Sequence, residues 1–134
     1  MPSSSRSVLL ANLSPELLPG RFVFVELPDF GAGDAEVLAT VREPEGTSAV
    51  LAEADAERLG LEYDFIAAWI TLGVDSSAAD IGLTAAFSNC LATEDISCNV
   101  IAGLRHDHLL VPADRARDAM SALEALSESA RPAS

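Results

Sequence analysis

Apolar and polar positions follow two rhythms along this chain, and the rhythm changes several times. Residues 22–27 (Phe, Val, Phe, Val, Glu, Leu) form a β-rich run that Pro28 closes. Ahead of it, Ser14-Pro15-Glu16 has the form of an N-cap, a proline at the first helical position and an acid. That order predicts a helix start, stopped almost at once by Pro19-Gly20. Residues 28–34 read as a loop. Residues 37–41 and 47–51 read as strands around a Pro44-Glu45-Gly46 turn, and 53–59 as a short helix ended by Gly60. A strand follows over 66–74, with Trp69 and Thr71 in it. Asp75-Ser76-Ser77 then caps a helix over 78–93, in which Leu83, Phe87, Cys90, Leu91 and Glu94 fall at helical spacing and predict a stripe facing a sheet. Residues 96–102 predict a strand, 103–107 a turn and 109–111 another strand. Ala113-Asp114 opens a last helix with the stripe Ala116, Ala119, Met120, Leu123 and Leu126. The first seven residues and the last eight read as frayed ends.

The second half therefore runs β-α-β-β-α, most of a ferredoxin-like unit with helices on one face of its sheet. The first half carries a faint copy of it. At an offset of 59 positions (113 − 54), Ala54-Asp55 meets Ala113-Asp114, Val41 meets Val100, Val50-Leu51 meets Leu109-Leu110 and Arg58 meets Arg117. The copy lacks the long helix after its first strand. The predicted class is α+β: two ferredoxin-like βαββα units in tandem on antiparallel sheet, the first degenerate, with halves at residues 8–62 and 63–127.

Composition narrows the function classes. The chain has 134 residues and is 49% hydrophobic but only 5% aromatic, so its core is aliphatic. Asp and Glu number 21 against 8 basic residues, all arginine, for a net charge of −13. Such acidity speaks against nucleic acid and against anionic membranes as partners, since both attract clustered cations. Without lysine there is no Schiff base, P-loop lysine or Ser–Lys dyad. No run approaches a membrane span or a signal peptide. Cys90 and Cys98 make no disulfide framework or metal motif and read as small core residues, with the cytoplasm as the expected compartment.

The candidate chemistry is sparse. His106-Asp107-His108 holds both histidines, two apart and hence on one face of a strand, but no third metal ligand accompanies them. No nucleophile–base–orienter set is visible, so the chain reads as a non-enzyme without cofactor or metal. Asp75-Ser76-Ser77 ends a strand where a long helix opens. The unpaired amides there suit a carboxylate, with Asp75 or Asp80 for an ammonium; plain N-capping explains the same residues. Gly82 in the first turns of that helix is costly unless something approaches closely. Asn99, polar in an apolar strand, serves either a ligand or a neighbouring loop.

Three runs carry a resemblance: Ile81-Gly82-Leu83-Thr84-Ala85-Ala86, residues 96–103 (Ile-Ser-Cys-Asn-Val-Ile-Ala-Gly), and His106-Asp107-His108 with Leu109 to Pro112. Residues 18–24 and 38–43 add to it. The chain resembles the small bacterial tandem ACT-domain proteins, which are related to the ACT modules of aspartate kinases and to cytosolic arginine sensors. The resemblance implies tandem ferredoxin-like repeats, regulatory binding of a small molecule, usually an amino acid, at the interface of two ACT-like halves, and sheets that pair side by side in a homodimer. It carries the binding role to Asp75, Ser76, Ser77, Ile81, Gly82, Leu83, Asn99, Val100 and Ile101. Related sequences often carry a basic or aromatic residue where this one has Asp75, and an aromatic near Leu104-Arg105. The alternative is a homodimeric interaction module whose ligand site is vacant.

Overall fold

The computed structural model describes residues 5–73 and 83–131. Its elements are α1 (Ser5–Ala11), β1 (Pro15–Glu26), β2 (Val37–Glu43), β3 (Gly46–Ala52), α2 (Glu53–Leu59), β4 (Ile66–Leu72), α3 (Leu83–Thr93), β5 (Asn99–Ala102), β6 (Asp107–Pro112), a single 3-10 turn (Ala113–Arg115) and α4 (Ala116–Ala130). The described chain divides into two compact units. One runs from residue 19 to residue 67. The other joins the chain up to Leu18 with residues 68 onward.

In the unit of residues 19–67 the strand order is β2-β3-β1 and both pairings are antiparallel. Alternation selects the register: Val23 lies opposite Leu51 and Val25 opposite Ala49, so one face buries all four together with Ala56 of α2. Helix α2 opens on Glu53 and Asp55 and closes on Arg58, charges that complement its dipole. Gly60, at φ 69°, ends it. The Gly60 amide donates to Glu57 O and the Leu61 amide to Ala56 O, a pattern that needs a left-handed residue at this position. Arg58 also reaches Asp34 and Asp55 at 2.9 and 3.0 Å.

In the other unit the order is β4-β6-β5, with β5 and β6 antiparallel. Ala68, Ile70 and Leu72 of β4, with Leu109 and Val111 of β6, meet Leu83, Phe87 and Leu91 of α3 and Ala119 and Leu123 of α4. The stripe expected on α4 packs on the sheet, as do Leu83, Phe87 and Leu91 of the stripe expected on α3, whereas Cys90 bonds to Ala122 of α4 and Glu94 is exposed. Helix α3 ends at Asp95, whose φ of 60° is unusual for a non-glycine. The Asp95 amide donates to Ala92 O and the Ile96 amide to Leu91 O, and Ile96 is buried beneath them. Arg115 donates to the Glu94 and Asp95 carbonyls and pairs with Asp118 at 2.9 Å, placing a cation at the helix end where carbonyls lack partners.

Several expectations need correction. Ser14-Pro15-Glu16 starts no helix. Ser14 has φ 44°, outside the extended geometry of an N-cap, and the chain runs from it straight into β1. The N-terminus is not frayed from residue 5 onward, because α1 packs Leu9 and Leu10 against the core and Leu13 is fully buried. The chain after residue 126 is not frayed either: α4 continues to Ala130 and Ser127 is buried. The strand expected over 96–102 begins at Asn99, since Ile96 serves the end of α3. Asp114 lies inside the 3-10 turn and makes no side-chain cap. The helix expected over 78–93 is described from Leu83 onward, and the rest of that span lies outside the described residues.

Candidate functional site

The carried-over binding residues fall into three groups. Asp75, Ser76, Ser77, Ile81 and Gly82 lie outside the described residues. Leu83, the first described residue of α3, is buried in the core. Asn99, Val100 and Ile101 lie on β5, which ends the strand order of its unit. Side chains alternate along a strand, so this run splits between two faces. Val100 pairs with Leu109 and packs against the core that also holds Leu83. Asn99 pairs with Leu110 and Ile101 with His108, on the face turned away from α3 and α4. Asn99 is exposed. The outer edge of β5 adds main-chain N–H and C=O groups that its one described neighbour, β6, does not use.

Sequence reasoning missed a side-chain relay on that same face. Trp69 Nε1–H donates to Thr71 Oγ1 at 2.9 Å, and Thr71 Oγ1 lies 3.0 Å from His108 Nδ1. Because the hydroxyl oxygen accepts from the indole, its own proton is available to His108. The pair forms with either ring tautomer, because the second lone pair of the hydroxyl can equally accept from Nδ1–H. The Trp69 and His108 rings lie 5.1 Å apart at an angle of 35°. Burial lowers the His108 pKa, and the neighbouring His106 lowers it further, against a smaller opposing pull from Asp107. Two signals for this relay were present in the sequence: the i, i+2 spacing of Trp69 and Thr71 on one face of β4, and the His-x-His run.

His106 lies in the turn before β6, whereas His108 is inside the strand. Asp107 is buried between them in sequence, and its pKa is raised by that burial. Among the described residues no cluster of three or more His, Cys, Asp or Glu has the arrangement to hold a metal ion. Both cysteines are partly buried. The Cys90 thiol donates to Ala122 O at 3.3 Å, and its pKa is pushed up by burial and by Glu94. Cys98 is pushed up to about 11 by burial. Thiols so held are protonated at neutral pH and are poor nucleophiles. Among the described residues no helix is long and apolar enough to cross a membrane. The arrangement offers hydrogen-bonding groups on a strand edge and an imidazole, which suit recognition of a small polar molecule.

Among curated protein sequences none matches the chain. Among solved structures, a protein of unknown function from Vibrio cholerae is 42% identical, with a TM-score of 0.82 over 92% of this chain and 96% of that one. The ligand-free regulatory subunit of aspartate kinase from Thermus thermophilus is 12% identical, with a TM-score of 0.63 over 91% of this chain and 99% of that one. Escherichia coli aspartokinase III, in complex with aspartate and ADP, is 12% identical with a TM-score of 0.62, over 84% of this chain but only 32% of the enzyme. At such identities the two kinase matches establish the fold alone. The chain matches the ACT domain, a regulatory module, twice, over residues 4–68 and again over residues 65–125. Neither match is to a catalytic domain. With the βαββα order of the second half and its fainter copy in the first, these two matches make the chain a member of the ACT-domain family, two ACT domains in tandem.

Proposed function

We propose that this protein is a cytoplasmic regulatory binder of a free amino acid and has no catalytic activity of its own. The halves of the repeat are residues 8–62 and 63–127. The residues proposed to contact the ligand are Asp75, Ser76, Ser77, Ile81, Gly82 and Leu83, with Asn99, Val100 and Ile101 of β5. The observation that carries this reading is β5 itself: an outermost strand with an exposed amide side chain, whose inner face shares a core with Leu83 at the start of α3. An amino acid has a carboxylate and an ammonium, and a strand edge supplies both donors and acceptors at fixed spacing. Binding would regulate only by favouring one arrangement of the protein over another.

Thermal denaturation against each of the twenty amino acids at millimolar concentration tests this. A ligand at a hundredfold excess over its Kd adds about 2.7 kcal/mol and raises Tm by roughly 10 °C for a chain of this size. Asn99→Ala and Gly82→Val should each abolish that rise. A flat panel with the unsubstituted protein refutes the reading.

One observation favours a second reading, a homodimeric interaction module. β5 has the sequence Asn-Val-Ile-Ala, with no charge or proline, and such an unguarded edge invites pairing with a second copy. In that case Tm rises with protein concentration and is indifferent to amino acids.

A further inference from the structure

The C-terminal unit is completed by the opposite end of the chain. Residues up to Leu18 cluster with residues 68 onward, across an inserted unit of residues 19–67. Helix α1 lies against α4 and α3. Leu13 is a fully buried member of the core, with Leu9 and Leu10 packed beside it. The carbonyl of Ala11, at the end of α1, accepts from Ser127 Oγ at 3.0 Å and from Arg131 Nε at 3.3 Å. Three residues on, the Ser14 carbonyl accepts from the Gly73 amide at 3.0 Å. Gly73 follows directly on β4, and a Cβ there would stand 3.0 Å from Ser14 O and 3.1 Å from Ser14 Cβ. A side chain there would fit only if Ser14 gave way by a few tenths of an ångström.

We propose that residues 5–14 form a strap that latches the end of β4, so that docking of α1 and pinning of Gly73 form and break as one event. Two facts make the event all-or-none. Helix α1 has seven residues, far below the length at which an isolated helix is stable in water, so the undocked strap is coil. Ser14 holds φ 44°, a left-handed conformation that a non-glycine keeps only while its surroundings impose it. Once α1 leaves its seat, Ser14 relaxes and its carbonyl turns away from Gly73. The device therefore fixes Gly73 at the end of β4, and it does so whether or not the protein binds an amino acid.

Amide hydrogen exchange on the full chain, without ligand, tests the latch. Ser127→Ala removes one donor to the strap while leaving the apolar seat in place. Gly73→Ala places a methyl group against Ser14. In Ser127→Ala the amides of Asn12, Leu13 and Gly73 should exchange faster by a common factor of about tenfold, with β3 amides unchanged, because only the local opening becomes easier. In Gly73→Ala the Asn12 and Leu13 amides should show the same acceleration. The proposal is overturned if Ser127→Ala frees Asn12 and Leu13 while Gly73 keeps its original rate. It is overturned equally if β3 amides accelerate to the same extent, which would mean that the strap opens only with the whole protein. Should Gly73→Ala fail to fold, Ser127→Ala decides alone.

Discussion

Replacing Thr71 by valine removes one hydroxyl, keeps the shape and interrupts the relay at its centre. That hydroxyl accepts the Trp69 indole proton at 2.9 Å and is hydrogen-bonded to His108 Nδ1 at 3.0 Å. A partly buried hydrogen bond contributes a net ~0.5–1.5 kcal/mol, so the two together contribute ~1–3 kcal/mol. Valine returns part of this through strand preference and its added methyl group, worth less than ~1 kcal/mol. The expected net loss is ~1–2 kcal/mol. Urea unfolding at pH 7.5 measures it directly, because Trp69 is the single tryptophan of the chain and reports on its own surroundings. The pH dependence supplies a second reading. The folded His108 resists protonation more than the unfolded chain does, chiefly because it is buried and then because of His106. Stability present above the ordinary histidine value of 6.5 is therefore lost as pH falls through that value, and the loss levels off below the folded pKa. Thr71→Val should show a shallower decline over the same range where the hydroxyl donates to Nδ1, and a deeper one where it accepts from Nδ1–H. A variant within ~0.5 kcal/mol of the parent and with the same pH profile would refute the assignment of Thr71 as the partner of His108.

Asp107 has the opposite sign: burial raises its folded pKa, so its charge destabilises the fold at neutral pH and the penalty fades as pH drops through the carboxylate range. Asp107→Asn should raise Tm at pH 7, with the gain shrinking in melts recorded towards pH 4. Asp95 ends α3 in a left-handed conformation while Arg115 uses only its carbonyl, so Asp95→Gly should stabilise by ~1 kcal/mol, seen as a rise of ~3–5 °C in a calorimetric scan. Phe87→Ala empties a fully buried site between α3 and the sheet and should cost ~3–5 kcal/mol in chemical denaturation.

Much of the architecture was legible in the sequence because it rests on local periodicity. Helix α2, strands β3, β4 and β6 and the inward stripes of α3 and α4 follow from apolar spacing of two or of three to four, and each needs only neighbours within a few residues. The tandem character was visible for the same reason: the offset of 59 aligns β2, β3 and α2 with β5, β6 and the 3-10 turn before α4. The N-terminus misled because local signals there have no tertiary meaning. Ser-Pro-Glu is a good helix opening anywhere, but Ser14 is held at φ 44° with its carbonyl on the Gly73 amide, an interaction across 59 residues of chain (73 − 14). Residues 5–11 look like a polar end with a short apolar run, and they form a helix only because α3 and α4 offer Leu9, Leu10 and Leu13 a place to be buried.

The same division separates what is known about the site. Sequence alone determined the residue types on β5, the acidity that speaks against nucleic acid as a partner, and the want of lysine chemistry. Tertiary structure decided which of the β5 residues face outward. It also joined Trp69, Thr71 and His108, lowered the pKa of that histidine by burial, and brought residue 14 to residue 73. The physical reason is the same in each case: periodicity selects a face, whereas the neighbour that meets that face is chosen by burial of apolar surface contributed from distant parts of the chain.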